Sequence, residues 1–125
     1  MKILVVDDSL MDRKLLMSTL KKSGVTNEFI EAKNGEEGLQ LLVQNRSDIC
    51  TILLDWQMPI MDGMEFMAGV VKVPAVSSIP IVMITASGSE ENKRKAREVN
   101  PNLAGYVVKP YKPEELLQVI TPLIK

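Results

Sequence analysis

Two apolar segments of the sequence end on acidic side chains. Residues 2–6, KILVV, are followed by Asp7 and Asp8, and residues 52–54, ILL, are followed by Asp55. Short apolar runs of this kind are typical of strands that are buried on both faces of a sheet. Carboxylates at strand ends can bind a hard cation or act as nucleophiles. The three aspartates are therefore the first candidates for chemistry.

Two further apolar segments end near a hydroxyl group and an ammonium group. Residues 79–86, IPIVMITA, contain Thr85, and residues 103–108, LAGYVV, are followed by Lys109. The carboxyl ends of parallel strands meet at one edge of a sheet, which is where open α/β sheets bind their ligands. We therefore expect Thr85 and Lys109 to face the three aspartates.

This combination of groups favours phosphoryl chemistry. Carboxylates packed together repel one another, and each resists ionisation unless positive charge lies among them. Lys109 supplies one positive charge, and a divalent cation bound through oxygen would supply more. Mg²⁺ fits best, because it needs few carboxylates, keeps water ligands and leaves room for a phosphoryl oxygen. Asp55 is the predicted nucleophile, Lys109 and the metal would neutralise the phosphoryl oxygens, and Thr85 would donate a hydrogen bond.

The composition excludes several other classes of function. The 15 Lys and Arg residues nearly balance the 16 Asp and Glu residues, so no overall field would hold the chain on nucleic acid or on a membrane. The sequence contains no histidine, which excludes Ser-His-Asp, Cys-His and HExxH sites. Cys50 is the single cysteine and is expected in the core. Because no segment resembles a membrane span or a signal peptide, we expect a cytoplasmic protein.

Strands and helices alternate along the chain. Strands are expected over residues 2–6, 26–32, 51–54, 79–86 and 103–108. Helix starts are indicated by Ser9, by Asn34 with Glu37, by Asp62 with Glu65, by Ser87 with Glu90, and by Pro113 before Glu114 and Glu115. Five strands alternating with five helices predict an α/β fold, a doubly wound parallel sheet with right-handed crossovers.

Four motifs resemble the receiver domain of two-component response regulators, in its single-domain, chemotaxis-type form. VVDDS begins at Val5, LLDWQMPIMDG at Leu53, ITA at Ile84 and GYVVKPY at Gly105. The resemblance covers the chain from end to end. It implies a (βα)5 flavodoxin-like three-layer sandwich with strand order 2-1-3-4-5. Residues 1–125 would form one receiver domain, without an effector domain.

The resemblance also implies what the acidic residues do. Asp55 would accept a phosphoryl group from a sensor histidine kinase or a histidine phosphotransfer protein. The protein would lose this group by hydrolysis, but it would not be an enzyme that turns over external substrates. Mg²⁺ would be held by three carboxylates and one main-chain carbonyl, those of Asp7, Asp8, Asp55 and Gln57.

A conformational switch is implied as well. Thr85 and Lys109 would contact the phosphoryl group, and the Lys109–Pro110 peptide bond would be cis. Thr85 would move toward the phosphoryl group while Tyr106 rotates inward behind it. These movements would change the face made by the fourth helix, the fifth strand and the fifth helix, which would bind a downstream protein partner. Such a switch is a population shift between two states.

We expect the output of such a receiver to be control of a protein partner or onward transfer in a phosphorelay, because no other domain follows before Lys125.

Two other functions remain as alternatives. A Mg²⁺-dependent aspartyl phosphatase of the haloacid dehalogenase type would carry Asp-x-Asp-Gly after its first strand, and VVDDSL lacks this motif. A receiver-like scaffold that binds partners without phosphorylation is the second alternative, and it is disfavoured because every chemical position is filled.

One segment departs from the family pattern, and another carries an additional cluster of charges. The usual small Gly-Ala turn before the fifth strand is replaced by Asn100-Pro101-Asn102-Leu103, where we expect Asn102 to adopt a left-handed conformation. A basic cluster on the fourth helix could meet an acidic partner, although a solvated helix face is the favoured interpretation. The cluster consists of Lys93, Arg94, Lys95 and Arg97.

Overall fold

Five parallel strands form one sheet whose central strands are almost fully buried. The structure, a computed structural model, describes residues 1–124. The strands are β1 (Lys2–Val6), β2 (Phe29–Ala32), β3 (Ile49–Leu54), β4 (Ile81–Thr85) and β5 (Gly105–Val108). Their spatial order is β2-β1-β3-β4-β5, and every neighbouring pair is parallel. The predicted order 2-1-3-4-5 is confirmed.

Helices follow each strand in turn. They are α1 (Leu10–Lys22), α2 (Gly35–Gln44), α3 (Gly63–Val71), α4 (Glu90–Val99) and α5 (Pro113–Ile120), with a 3-10 turn over Thr121–Leu123. The last helix therefore ends before Pro122, as expected for a residue that cannot continue a helix. None of the helices within residues 1–124 combines the length and the apolar character needed to cross a bilayer.

Alternating side chains of the strands build one core on each face of the sheet. Leu4 and Val6 point into a core with α2, α3 and α4, where Phe66 is completely buried. Ile3 and Val5 point the other way, into a core with α1 and α5. Both faces of the sheet are therefore covered, which explains the nearly continuous apolar runs of its strands. Cys50 is buried in the second core, as predicted.

Helix caps fix the points where the chain leaves the strand ends. The Ser9 hydroxyl accepts a hydrogen bond from the amide of Asp12 at 3.2 Å, which caps α1. Asp62 and Glu65 form a complete capping box at the start of α3. Each cap satisfies amides that the first turn of a helix leaves without partners. The caps thereby fix where the loops after β1 and β3 end and where α1 and α3 begin.

The two outer strands are shorter than predicted. β2 begins at Phe29 rather than at residue 26. β5 begins at Gly105 rather than at residue 103. The preceding chain instead forms a turn in which the amide of Leu103 donates to the carbonyl of Asn100 at 3.0 Å. Outer strands have one partner only, so their ends depend on local turns that an apolar pattern does not reveal.

Two expectations about turns were wrong. Among residues 1–124, positive φ occurs at Ile60 and Gly24 and not at Asn102. The side chain of Asn100 makes the turn instead, because its oxygen accepts from the amide of Asn102 at 3.1 Å. The capping box predicted for Ser87 with Glu90 is also wrong. Ser89 caps α4, two residues later.

Gly63 brings α3 directly against the end of β3. A Cβ atom at this position would collide with the carbonyl oxygen of Asp55 and would lie 3.0 Å from the Cα atom of Trp56. Both are main-chain atoms of the loop that carries Asp55, so the clash cannot be relieved by a side-chain rotation. The glycine is therefore required by packing, and its replacement would disturb the loop itself.

We predict that Gly63→Ala lowers the free energy of unfolding by about 2–3 kcal/mol, the cost typical of overpacking. Gly69→Ala, in the same helix, is the matched control. Its Cβ would meet only the flexible Leu39 side chain at 3.3 Å, so this variant should be neutral or gain up to about 1 kcal/mol of helix propensity. Urea unfolding measures both. Equal effects of the two substitutions would contradict the prediction.

Candidate functional site

The ends of β1 and β3 bring three carboxylates together. Asp7 follows β1 and Asp55 follows β3, and the two strands pair with Val6 opposite Leu54. The main-chain amide of Asp55 donates to the carbonyl of Val6 at 2.9 Å, which continues the ladder one residue beyond β3. Oxygen atoms of Asp7, Asp8 and Asp55 all lie within 4.8 Å of one another. The predicted convergence of the aspartates is therefore present in the structure.

The Lys109 ammonium group lies among these carboxylates. Its Nζ atom is 3.0 Å from Asp7 Oδ2 and 3.7 Å from Asp55 Oδ2. It is also 3.0 Å from Oδ2 of Asp12, a residue of α1. The side chain of Lys109 is only 20% exposed and that of Asp7 8%, so solvent screens the Asp7 pair weakly. The Lys109–Pro110 bond is cis, as the resemblance implied.

The environment fixes Lys109 in its charged form. Burial by itself lowers the pKa of Lys109, but the hydrogen bonds to Asp12 and Asp7 raise it, and the charge of Asp55 raises it further. The net result is a pKa well above the ordinary lysine value. The ammonium group is therefore a permanent cation at neutral pH, and it offsets part of the repulsion among the carboxylates.

Asp55 is harder to ionise than an ordinary aspartate. Burial is the main reason that its pKa is raised; Lys109 opposes the shift and Asp7 adds to it. The amide of Trp56 donates to Asp55 Oδ1 at 2.8 Å, and a hydrogen bond from Thr85 also stabilises the charged form. One carboxylate oxygen is thus held by the main chain, while the other faces Lys109.

The donor set fits Mg²⁺. The three carboxylates offer hard oxygen ligands, and Asp8 is exposed, so water molecules can complete the coordination. Asp7 is oriented by the amide of Ser9, which donates to its Oδ1 at 2.9 Å. Gln57, the predicted carbonyl ligand, lies in the exposed loop after β3, and its role stays a prediction.

Thr85 and Tyr106 lie where the switch hypothesis needs them. Thr85 is the last residue of β4, is buried, and pairs with Val108 of β5. The hydroxyl group of Tyr106 donates to the main-chain carbonyl of Ser87, just beyond Thr85. The Lys93 ammonium lies 6.0 Å from the centre of the Tyr106 ring. The aromatic side chain therefore joins β5 to the loop between β4 and α4.

A cavity of about 320 Å³ opens beside the acceptor, between the sheet and α1. Asp55 and Lys109 lie at its wall, and most of the remaining lining is apolar, including Leu16, Ile84 and Tyr111. The site thus has a polar side made by the strand ends and an apolar side made by α1 and the segment after β5. Asp55 therefore borders an open space whose far wall is mostly apolar.

Asp12 was missed by the sequence analysis. It sits in the first turn of α1, five residues after Asp7, and a helix that starts at a strand end keeps its first turn close to that end. The pattern DDSLMD therefore contained a usable indication of a fourth carboxylate. The sequence analysis assigned the site to the strand ends alone, and Asp12 lies on a helix.

We predict that Asp55→Asn stabilises the metal-free protein at neutral pH. The folded state holds the Asp55 proton more tightly than the unfolded chain, so ionisation destabilises the fold once the pH rises above the ordinary aspartate value of 3.8. Below that pH the carboxyl group is neutral in both states, and the difference between wild type and variant should vanish. Urea unfolding from pH 3 to 7 with a chelator measures it. A difference that is the same at every pH would contradict this account.

Comparison with known proteins agrees with this geometry. The family model described as the response regulator receiver domain matches residues 3–121. A chemotaxis protein CheY homolog of Campylobacter jejuni is 33% identical over 124 residues, which cover 99% of this chain and 92% of that protein. The match therefore extends over nearly the whole length of both.

Solved structures match as well. The chemotaxis response regulator CheY4 of Vibrio cholerae has a TM-score of 0.84 and 33% identity, with 98% of each chain covered. A chain of the CheX–CheY–BeF3–Mg²⁺ complex from Borrelia burgdorferi has a TM-score of 0.86 and 25% identity, covering 99% of this chain and 90% of that one. The protein is accordingly a member of the response regulator receiver domain family, with CheY-type chemotaxis proteins among its relatives.

Proposed function

We propose that this protein accepts a phosphoryl group on Asp55 from a histidine kinase or a histidine phosphotransfer protein and thereby controls a protein partner. The observation that carries the proposal is the meeting of Asp55 with Asp7, Asp8 and Lys109 at one edge of the sheet. A nucleophilic carboxylate needs positive charge beside it when phosphoryl oxygens approach. Lys109 provides that charge from within the chain.

The two oxygens of Asp55 have different tasks in this mechanism. Oδ1 is held by the amide of Trp56, so Oδ2, which faces Lys109, is the oxygen that attacks. An O–P bond forms while the P–N bond to the donor histidine breaks, and the imidazole leaves with a proton from solvent. Lys109 then contacts a phosphoryl oxygen, and the Thr85 hydroxyl donates a hydrogen bond to another.

Mg²⁺ completes the proposed site. Asp7, Asp8, Asp55 and the main-chain carbonyl of Gln57 would hold it. When bound, it supplies positive charge that neutralises phosphoryl oxygens. The fit of the three carboxylates supports this assignment, as does the presence of Mg²⁺ and BeF3 in the related Borrelia complex.

The proposed output surface is the α4-β5-α5 face. Movement of Thr85 toward the phosphoryl group would shift the β4–α4 loop, to which the half-buried Tyr106 is joined by its hydrogen bond to Ser87. Rotation of Tyr106 would accompany this shift. The basic residues of this face are partly neutralised, since Lys93, Arg94 and Lys95 each pair with a glutamate of α4. These pairs support the solvated-face interpretation over a strongly basic docking patch. Neither nucleic acid nor a membrane is a proposed partner.

The aspartyl phosphatase alternative gains no support from the site. Its motif would place a second acid two residues after Asp7, and that position is occupied by Ser9, which caps α1. The second alternative, a scaffold that binds partners without phosphorylation, would gain no mass when it is incubated with a phosphodonor. The following experiment therefore distinguishes it from the proposed function.

Incubation with Mg²⁺ and a small phosphodonor should add one phosphoryl group to the wild-type protein and none to Asp55→Asn. Intact mass spectrometry measures the gain. Fluorescence of Trp56, the neighbour of Asp55 and the single tryptophan of the chain, should change in parallel. Wild-type protein that folds but never gains mass would leave the scaffold as the better description.

Mg²⁺ alone should stabilise the protein. Binding to the native state at about 100 times the dissociation constant adds roughly 2.7 kcal/mol to the free energy of unfolding. Asp8→Asn should lose most of this gain, because it removes an exposed ligand without disturbing the core. Asp48→Asn, an equally exposed residue that precedes β3, is the matched control and should respond as wild type does. A stabilisation by Mg²⁺ that Asp8→Asn retains in full would refute the assignment of Asp8 as a ligand.

A further inference from the structure

A fourth carboxylate, on α1 rather than at a strand end, shares Lys109 with the site. The Nζ atom of Lys109 lies 3.0 Å from Asp12 Oδ2, as close as it lies to Asp7 Oδ2, whereas Asp55 Oδ2 is 3.7 Å away. The ammonium group is hydrogen-bonded to Asp7 and Asp12. It is thus hydrogen-bonded to the carboxylates beside the proposed acceptor, whereas its ion pair with Asp55 is longer than a hydrogen bond.

Local structure explains why Asp12 points at Lys109. The amide of Asp12 is held by the Ser9 cap, which fixes the first turn of α1 over the strand ends. The guanidinium of the next residue, Arg13, binds elsewhere: its Nε atom is 3.0 Å from Glu31 of β2, and its Nη1 atom donates to the main-chain carbonyl of Asp7. Arg13 therefore does not neutralise Asp12. Within residues 1–124, the ion pair that Asp12 forms is the one with Lys109.

We infer that Asp12 is a positioning residue that holds Lys109 back from Asp55 until a phosphoryl group is in place. The inference rests on the proposed function and adds a means of regulating the same site. A phosphorylated side chain carries a charge of about −1.5 to −2 at neutral pH, and it attracts Lys109 more strongly than an unmodified carboxylate does. To reach it, Lys109 must give up its contact with Asp12.

The exposure of Asp12 makes this contact reversible. Its side chain is 46% exposed, so water can solvate the carboxylate once the ammonium group has left. By contrast, the Asp7 side chain is only 8% exposed, and leaving it without a cation would be more costly. Of the two hydrogen bonds that Lys109 makes in this state, the one to Asp12 is therefore the one to break.

A simpler role for Asp12 must be separated from this one. An acid in the first turn of a helix interacts favourably with the helix dipole, and Asp12 occupies such a position. The dipole effect changes stability alone. It requires no contact with Lys109 and predicts no movement of Lys109 when the carboxylate is removed.

The first test is a crystal structure of metal-free, unphosphorylated Asp12→Asn beside that of wild type. The proposal expects Lys109 to remain on Asp7 and to shorten its 3.7 Å separation from Asp55 Oδ2 to hydrogen-bond distance, about 3 Å. A separation unchanged from wild type overturns the proposal. This measurement involves no phosphoryl transfer, so it stands even if the proposed function fails.

The second test is the rate of Asp55 phosphorylation by a small phosphodonor at saturating Mg²⁺. Asp12→Asn should react about two to five times faster than wild type, because Lys109 no longer has to break its contact with Asp12 before it binds a phosphoryl oxygen. This is the range that the free energy of one partly exposed ion pair supports. Asp12→Glu, which keeps the charge, should restore a rate near that of wild type. Glu31→Gln is the control for overall charge. It removes one negative charge, as Asp12→Asn does, but from the residue that pairs with Arg13, and it should leave the rate near that of wild type.

The possible outcomes distinguish a failure of the role assigned to Asp12 from a failure of the proposed function. A rate for Asp12→Asn equal to that of wild type, or an equal acceleration by Glu31→Gln, overturns the proposal, since the effect would then be absent or due to overall charge. Wild-type protein that never takes up a phosphoryl group overturns the proposed function instead, and the Lys109 separation then decides the role of Asp12 by itself. Thermal unfolding of each variant verifies that it is folded.

Discussion

Repulsion among carboxylates at one edge of the sheet is the constraint on which this structure depends, and Lys109 is the group that relieves it. Asp7, Asp8 and Asp55 lie within 4.8 Å of one another, and burial makes the ionisation of Asp55 still more difficult. A single, mostly buried ammonium group pairs with two of the three. β5, which pairs with β4, brings Lys109 to the cluster from its carboxyl end.

The main chain around Asp55 is equally constrained. Gly63 lets α3 start against the Asp55 carbonyl, and the capping box of Asp62 fixes the direction of that helix. Earlier in the same loop, Ile60 adopts a φ of 69°, a conformation that disfavours a β-branched residue. The loop between β3 and α3 thus combines a close contact, a rigid cap and one strained residue. Together these hold Asp55 where Lys109 can reach it.

Sequence patterns predicted the parts of the structure that follow from burial and capping. The apolar runs ending at Asp7 and Asp55 located the central strands, and Ser9 and Asp62 marked two helix starts. The outer strands were less predictable, because turns such as that at Asn100 are set by side-chain hydrogen bonds. Asp12 was missed for a related reason. The pattern DDSLMD indicates that Asp12 lies near the strand ends, but its contact with Lys109 joins residues 97 positions apart, and no local pattern encodes that partner.

Ser87 joins three parts of the proposed output region through a single residue. Its carbonyl accepts from the Tyr106 hydroxyl of β5, and its own hydroxyl accepts from the side chain of Asn92 on α4. It also lies two residues beyond Thr85 along the chain. Ser87 therefore links the end of β4 to a strand and a helix through hydrogen bonds, so any displacement of this end would act on β5 and α4 together.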